Sequence, residues 1–145
     1  MVDLYELQEK ILAHMRANID TPIYRSGVPD EVGIRRNDAG KVTPYIAVQF
    51  GSVPNVYTGK SFGGVRGDDF DLNLYVQVVA ADSSLADKIS HKVVWNTLLG
   101  YEPQDNGEME PIRLGAALPV NASNGATEAY MAPSSYGVSV QMLEQ

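Results

Sequence analysis

The sequence predicts an α+β domain: a mostly antiparallel sheet of about four to five strands with two helices packed on one face. Three observations predict it. Apolar residues recur at helical spacing in two separate stretches, one at the start of the chain and one past its middle. Elsewhere apolar residues alternate with polar ones, the period of a half-buried strand. The strands come in runs joined by turns, which favours an antiparallel sheet with helices to one side. At 145 residues the chain has the length of one domain, residues 1–145.

The first helix rests on Leu4, Leu7, Ile11 and Met15, spaced by three and four, with Leu12 beside the stripe. Asp3 is placed to cap it and Glu6 follows three residues later, as in a capping box. The pattern fades by Asn18, and Thr21-Pro22 ends it. Residues 23–32 read as extended and then turning, because Gly27 and Pro29 break any regular pattern. Residues 37–41, Asn-Asp-Ala-Gly-Lys, have the chemistry of a tight turn.

A strand is predicted over 43–53, with Ile46, Val48 and Phe50 on one face and Tyr45, Ala47 and Gln49 on the other. Residues 54–67 hold four glycines and a proline and read as a long loop or irregular hairpin. The clearest strand follows. Phe70, Leu72, Leu74, Val76, Val78 and Ala80 alternate with Asp71, Asn73, Tyr75, Gln77 and Val79. Its polar face is predicted to be wet or to meet another subunit.

Ser83 or Ser84 is the predicted cap of the second helix. Leu85, Ile89, Val93, Trp95, Leu98 and Leu99 give that helix a broad apolar face, and Gly100 ends it. Residues 101–111 read as a polar acidic turn. Ile112, Leu114, Ala116 and Leu118 alternate as a strand that Pro119 ends, and residues 119–135 read as a second long loop. A final strand carries Val138, Val140 and Met142 on one face.

Composition narrows the function classes. There is no cysteine, which excludes disulfides, zinc ribbons, iron–sulfur clusters and thiol nucleophiles. The net charge of −7 argues against a free-standing nucleic-acid binder. No apolar run approaches the ~18 residues of a membrane span, and the N-terminus lacks a signal-peptide pattern. The expected setting is therefore the inside of a cell. Charge is uneven: residues 24–66 carry +3 and residues 101–145 carry −5. Opposite signs on different parts of one subunit suit head-to-tail self-association.

Chemical motifs are few. Thr58-Gly59-Lys60-Ser61 resembles the end of a phosphate-binding loop, but Pro54 stands where a glycine is needed and Phe62-Gly63-Gly64 will not start a helix. His14 and His91 are isolated, with Asp87 one turn before His91. Asp68, Asp69 and Asp71 cluster before a strand without calcium-loop spacing. The expectation is a protein that is not an enzyme and uses no cofactor or metal.

The layout resembles the tail terminator, or tail completion, proteins of long-tailed bacteriophages. Four features carry the likeness: the amphipathic start DLYELQEKILAHM; the Gly27-Val28-Pro29 turn; the strand PYIAVQFG feeding the glycine-rich loop GKSFGGVRG and the long strand DFDLNLYVQVVAAD; and the helix SLADKISHKVVWNTLLG. The resemblance implies a homo-oligomeric, hexameric ring that caps the head-proximal end of the tail tube and stops its polymerisation. It implies a tail tube protein and a neck or head-completion protein as partners, with genomic DNA passing through the lumen without specific binding. It places the chain in the virion, after assembly in the host cytoplasm. Another head–tail joining protein, such as a head-closure connector, or a tail tube subunit would share much of the pattern. A ligand-binding module and an enzyme whose site forms between subunits are the other classes. Arg35, Arg36, Lys60 and Arg66, in the basic segment and the glycine-rich loop, are the residues expected at subunit or tube contacts.

Overall fold

The computed structural model describes residues 3–29, 33–54, 69–104, 107–121 and 125–141. Helix α1 spans Leu4–Asn18, and the Asp3 carboxylate caps it by accepting the Tyr5 N–H at 2.8 Å. The strands are β1 (Ile23–Arg25), β2 (Tyr45–Pro54), β3 (Asp69–Ala80), β4 (Glu110–Leu114), β5 (Leu118–Asn121) and β6 (Thr127–Gln141). A second helical rod follows β3: α2 (Ser83–Lys88), a π-helical stretch (Ile89–Val94) and α3 (Trp95–Leu98). The fold is α+β, as the patterning predicts.

The strands form one sheet in the order β1-β2-β3-β6-β4, with β5 also paired to β6. Among the described strands β1 and β2 run parallel and every other pair is antiparallel. Register puts Ile46 opposite Val78, Val48 opposite Val76, Leu74 opposite Tyr136 and Leu72 opposite Val138. All eight are buried and share one face. Leu7, Ile11, Leu12 and Met15 of α1 join them in a single core with Ala86, Ile89, Val94 and Leu98. Burying about a dozen such side chains, at roughly 1.5–3 kcal/mol each, is the main force holding helices to sheet. Val93 is only half-buried, and Val140 lies among side chains outside the description.

Several expectations need correction. The cap of the second rod is Asp82 in extended conformation, while Ser83 already lies in the helix. The rod widens into π-helical turns from Ile89 to Val94, so its inward face drifts and Ser90 and Val94 are buried; Leu99, past the helix end in extended conformation, is 47 % exposed. The predicted strand through Leu118 is two strands, broken over Gly115–Ala117, and Pro119 lies inside the second. Its apolar residues do not face the core: Ile112, Leu114 and Leu118 are exposed.

The largest correction concerns residues 119–135. Most of this stretch is strand, since β6 begins at Thr127 and runs for 15 residues. Pro133 sits inside it because its carbonyl accepts the Gly115 N–H at 2.8 Å. In an antiparallel strand a residue's N–H and C=O point to the same side. The missing prolyl N–H therefore faces the break between β4 and β5, where no ladder bond is lost. In the 101–109 connection Met109 is buried at 1 % exposure and belongs to the core, which the acidic surroundings conceal.

Candidate functional site

The helices cover one face of the sheet. On the other face Tyr45, Ala47 and Gln49 of β2 alternate outward, as do Asn73, Tyr75, Gln77 and Val79 of β3. A cleft of about 400 Å3 opens there. Tyr45, Gln49, Tyr75 and Gln77 form its floor, and Val28, Pro29 and Ile34 line its wall. Among the described residues none of the lining side chains is charged. The wall begins at Ser26, whose φ of 68° is the left-handed conformation and is strained for a residue with a Cβ. The Ser26 N–H donates to Val48 O at 2.7 Å, and Gly27 at φ 127° then turns the chain out over the sheet. Burial pushes the Tyr45 phenol above its ordinary pKa, so this hydroxyl stays protonated through neutral pH.

At the opposite end of the strands a second cleft, of about 450 Å3, has Asp71, Glu108 and Glu110 in its lining. The Ser139 hydroxyl donates to Asp71 at 3.1 Å. No group of three or more His, Asp or Glu among the described residues is placed to hold a metal ion.

The sheet edge is the third feature. β4 and β5 follow one another along the same side of β6, so together they form a broken edge strand. Ile112 (61 %), Leu118 (55 %), Leu114 and Val120 are exposed along it. The break is tied to the second helical rod by two side chains. The Asp87 carboxylate accepts the Ala117 N–H at 3.0 Å, and His91 Nε2 donates to Gly115 O at 3.1 Å. Asp87 therefore holds the edge rather than pairing with His91. His14 is also engaged: its ring stacks on Tyr101 at 3.7 Å and its Nε2 donates to Thr97 O at 3.0 Å.

Arg35 and Arg36 lie together on an exposed hairpin in which Arg36 bridges Val42. Asn37 Oδ1 accepts the N–H groups of Ala39 and Lys41, both at 3.0 Å, and Gly40 at φ 77° closes the turn. Arg36 is already engaged within the chain, with Gly40 O at 3.1 Å and with the Glu128 carboxylate at the start of β6. Lys60 and Arg66 lie outside the described residues, as do the phosphate-loop-like stretch and Asp68.

Sequence reasoning missed both the cleft and the apolar edge. Tyr75 and Gln77 were legible as the outer face of a strand, but the turn that walls them was not. The edge residues alternate like core residues, and only the pairing of β4 and β5 with β6 shows that they lie at the margin. No helix is long and apolar enough to cross a membrane among the described residues. No protein-family model matches the sequence, and no curated protein matches it either.

Proposed function

We propose that this chain is a ring-forming structural protein of a phage virion that caps the head-proximal end of the tail tube and joins it to the neck. The observation that carries the reading is the exposed β4–β5 edge. An edge strand with four large exposed apolar side chains is a surface that natural monomers avoid, and covering it with a neighbour resolves both the apolar exposure and the unpaired edge. The likeness of the long strands and both helices to tail terminator proteins points the same way, and the α+β layering agrees with it. A net charge of −7 suits a lumen through which DNA must slide, since Lys and Arg contacts to phosphates would hold it. The two histidines serve to fasten elements together, so the proposal assigns the chain no catalysis.

Removing the reading frame from the genome that carries it tests the proposal by electron microscopy. Tubes of uncontrolled length that fail to join heads are expected. Tails of normal length that fail to join heads would assign the chain to a neck connector instead. Loss of all tubes would assign it to the tube itself, and normal virions would remove it from the particle.

A further inference from the structure

We propose that the tyrosine–glutamine cleft on the outer face of the sheet binds a neutral carbohydrate of one or two pyranose rings. The proposal goes beyond the assembly reading and does not rest on it.

The register fixes the shape of the floor. Tyr45 lies opposite Val79, Ala47 opposite Gln77, and Gln49 opposite Tyr75. Outward side chains along one strand are about 7 Å apart, so the two tyrosines stand at opposite ends of a floor about 14 Å long. Between them sits Ala47, the smallest side chain of the floor, with Gln77 beside it. A Cβ on Gly51 would lie 3.4 Å from Tyr75 Cε2, so the Tyr75 ring leans over the bare backbone at Gly51. The ring remains exposed, as do the Gln49 and Gln77 side chains. At about 400 Å3 the cleft is at the small end of ligand sites, which span about 300–1,000 Å3. That size sets the ligand at one or two rings.

The chemistry of the lining sets its class. The described lining is uncharged, so an anion or a cation would lose hydration there without a counter-charge. Each glutamine amide carries a donor and an acceptor side by side, and each tyrosine hydroxyl is both. Burial keeps the Tyr45 hydroxyl protonated at neutral pH, so it can donate. Neighbouring hydroxyls of a pyranose also both donate and accept, and one amide can meet two of them. The C–H faces of the same ring are apolar and fit against tyrosine rings, whose bodies are apolar and whose tips are polar. A proline-rich peptide would satisfy less of the site. Its backbone offers carbonyl acceptors and few donors, which leaves both glutamine carbonyls without partners. A nucleotide brings phosphate, for which the described lining holds no cation.

Saturation-transfer NMR against a panel of neutral sugars tests this with the full-length protein. The panel holds glucose, galactose, mannose, N-acetylglucosamine, maltose, cellobiose and lactose, each raised to tens of millimolar. At least one is expected to receive saturation on its ring C–H protons and to shift backbone amides of residues 45–49 and 75–79. Glucuronate and glucosamine, the anionic and cationic relatives of glucose, are expected to bind more weakly than the neutral sugars. Tyr75→Ala and Gln77→Ala are each expected to weaken binding about tenfold. Both positions are exposed, and circular dichroism checks that the variants fold. Tyr75→Leu, which keeps apolar bulk without the ring, serves if the alanine variant does not fold. A panel in which no sugar binds overturns the proposal. So does binding that shifts only amides elsewhere, binding unaffected by the variants, or a preference for glucosamine or glucuronate. Amide shifts in the cleft with an oligoproline peptide and with no sugar would also overturn it and give the cleft to a peptide. None of these results depends on tail length or head joining in the deletion experiment, so the two readings fail separately.

Discussion

The Gly115 N–H donates to the Pro133 carbonyl at 2.8 Å, and a Cβ on Gly115 would fall 2.7 Å from Pro133 Cγ and 3.0 Å from Pro133 O. This contact fixes where the edge strand breaks. The chain leaves β4, touches β6 at the one residue type that lacks a donor, and re-enters the sheet as β5.

Gly115→Ala is therefore expected to destabilise. The prolyl ring and its carbonyl both lie too close for a methyl group, and such overpacking costs about 1–3 kcal/mol. Urea unfolding measures the loss, and amide exchange at Ala117 reports whether its bond to Asp87 loosens with it. Unchanged stability would mean that β4 and β5 move apart freely at this point.

Val76→Asp is expected to prevent folding. Val76 is fully buried on the central strand, opposite Val48 and Ser134, and an aspartate there would be a charge without a partner. The variant should show no cooperative thermal transition. A melting temperature equal to that of the natural protein would remove β3 from the centre of the core.

Strands β2 and β3 were legible because their two faces differ: every second residue is apolar, and one residue of slip would bury Asn73 and Gln77. The start of β6 was not legible. Ala132, Ser134 and their neighbours are small, Pro133 argues against a strand, and only the pairing with β3 supplies the reason to be extended. The π-helical stretch was hidden for a related reason. Sequence spacing assumes 3.6 residues per turn, and a wider turn brings Ser90 and Val94 inward, while Leu99 already lies past the helix end in extended conformation. The basic cluster was legible as charge, but Arg36's use within the chain depends on Glu128, which is 92 residues away.

Tyr136→Phe is expected to leave stability unchanged or raised at neutral pH and to flatten its alkaline loss. Among the described residues the buried Tyr136 hydroxyl has no partner at hydrogen-bond geometry, the Ser134 hydroxyl being its polar neighbour. Burial pushes its phenol up to about 12, against a smaller opposing effect of the Ser134 hydroxyl. An unfolded tyrosine ionises near pH 10. Between these values the unfolded chain has released a proton that the folded one keeps, so stability falls as pH rises. Below pH 10 the group contributes no such slope. Denaturant unfolding of both proteins from neutral pH into this alkaline range checks it. An identical pH slope in the two would show that Tyr136 is not the group responsible.

The basic residues provide the last prediction. Reversing Arg36 would set a glutamate against Glu128 and unpair the hairpin from β6, so a defect in that variant would mix folding with assembly. The exposed pair itself is worth about 0–1 kcal/mol, a loss that thermal melting of an Arg36→Ala variant can read directly. Arg35 is exposed, and no ion pair engages it among the described residues. The informative variant is therefore Arg35→Glu with Lys60→Glu and Arg66→Glu, leaving Arg36 in place. Each change moves the local charge by two, and a cyclic assembly repeats the change at every subunit contact, so individually weak rim contacts fail together. The variant is expected to melt like the natural protein. Under the proposed tail-capping role, cells making it are expected to yield tails of uncontrolled length or tails that do not join heads. Folded variant protein with normal tails and normal joining would make these three side chains ordinary surface and move the contact elsewhere on the subunit.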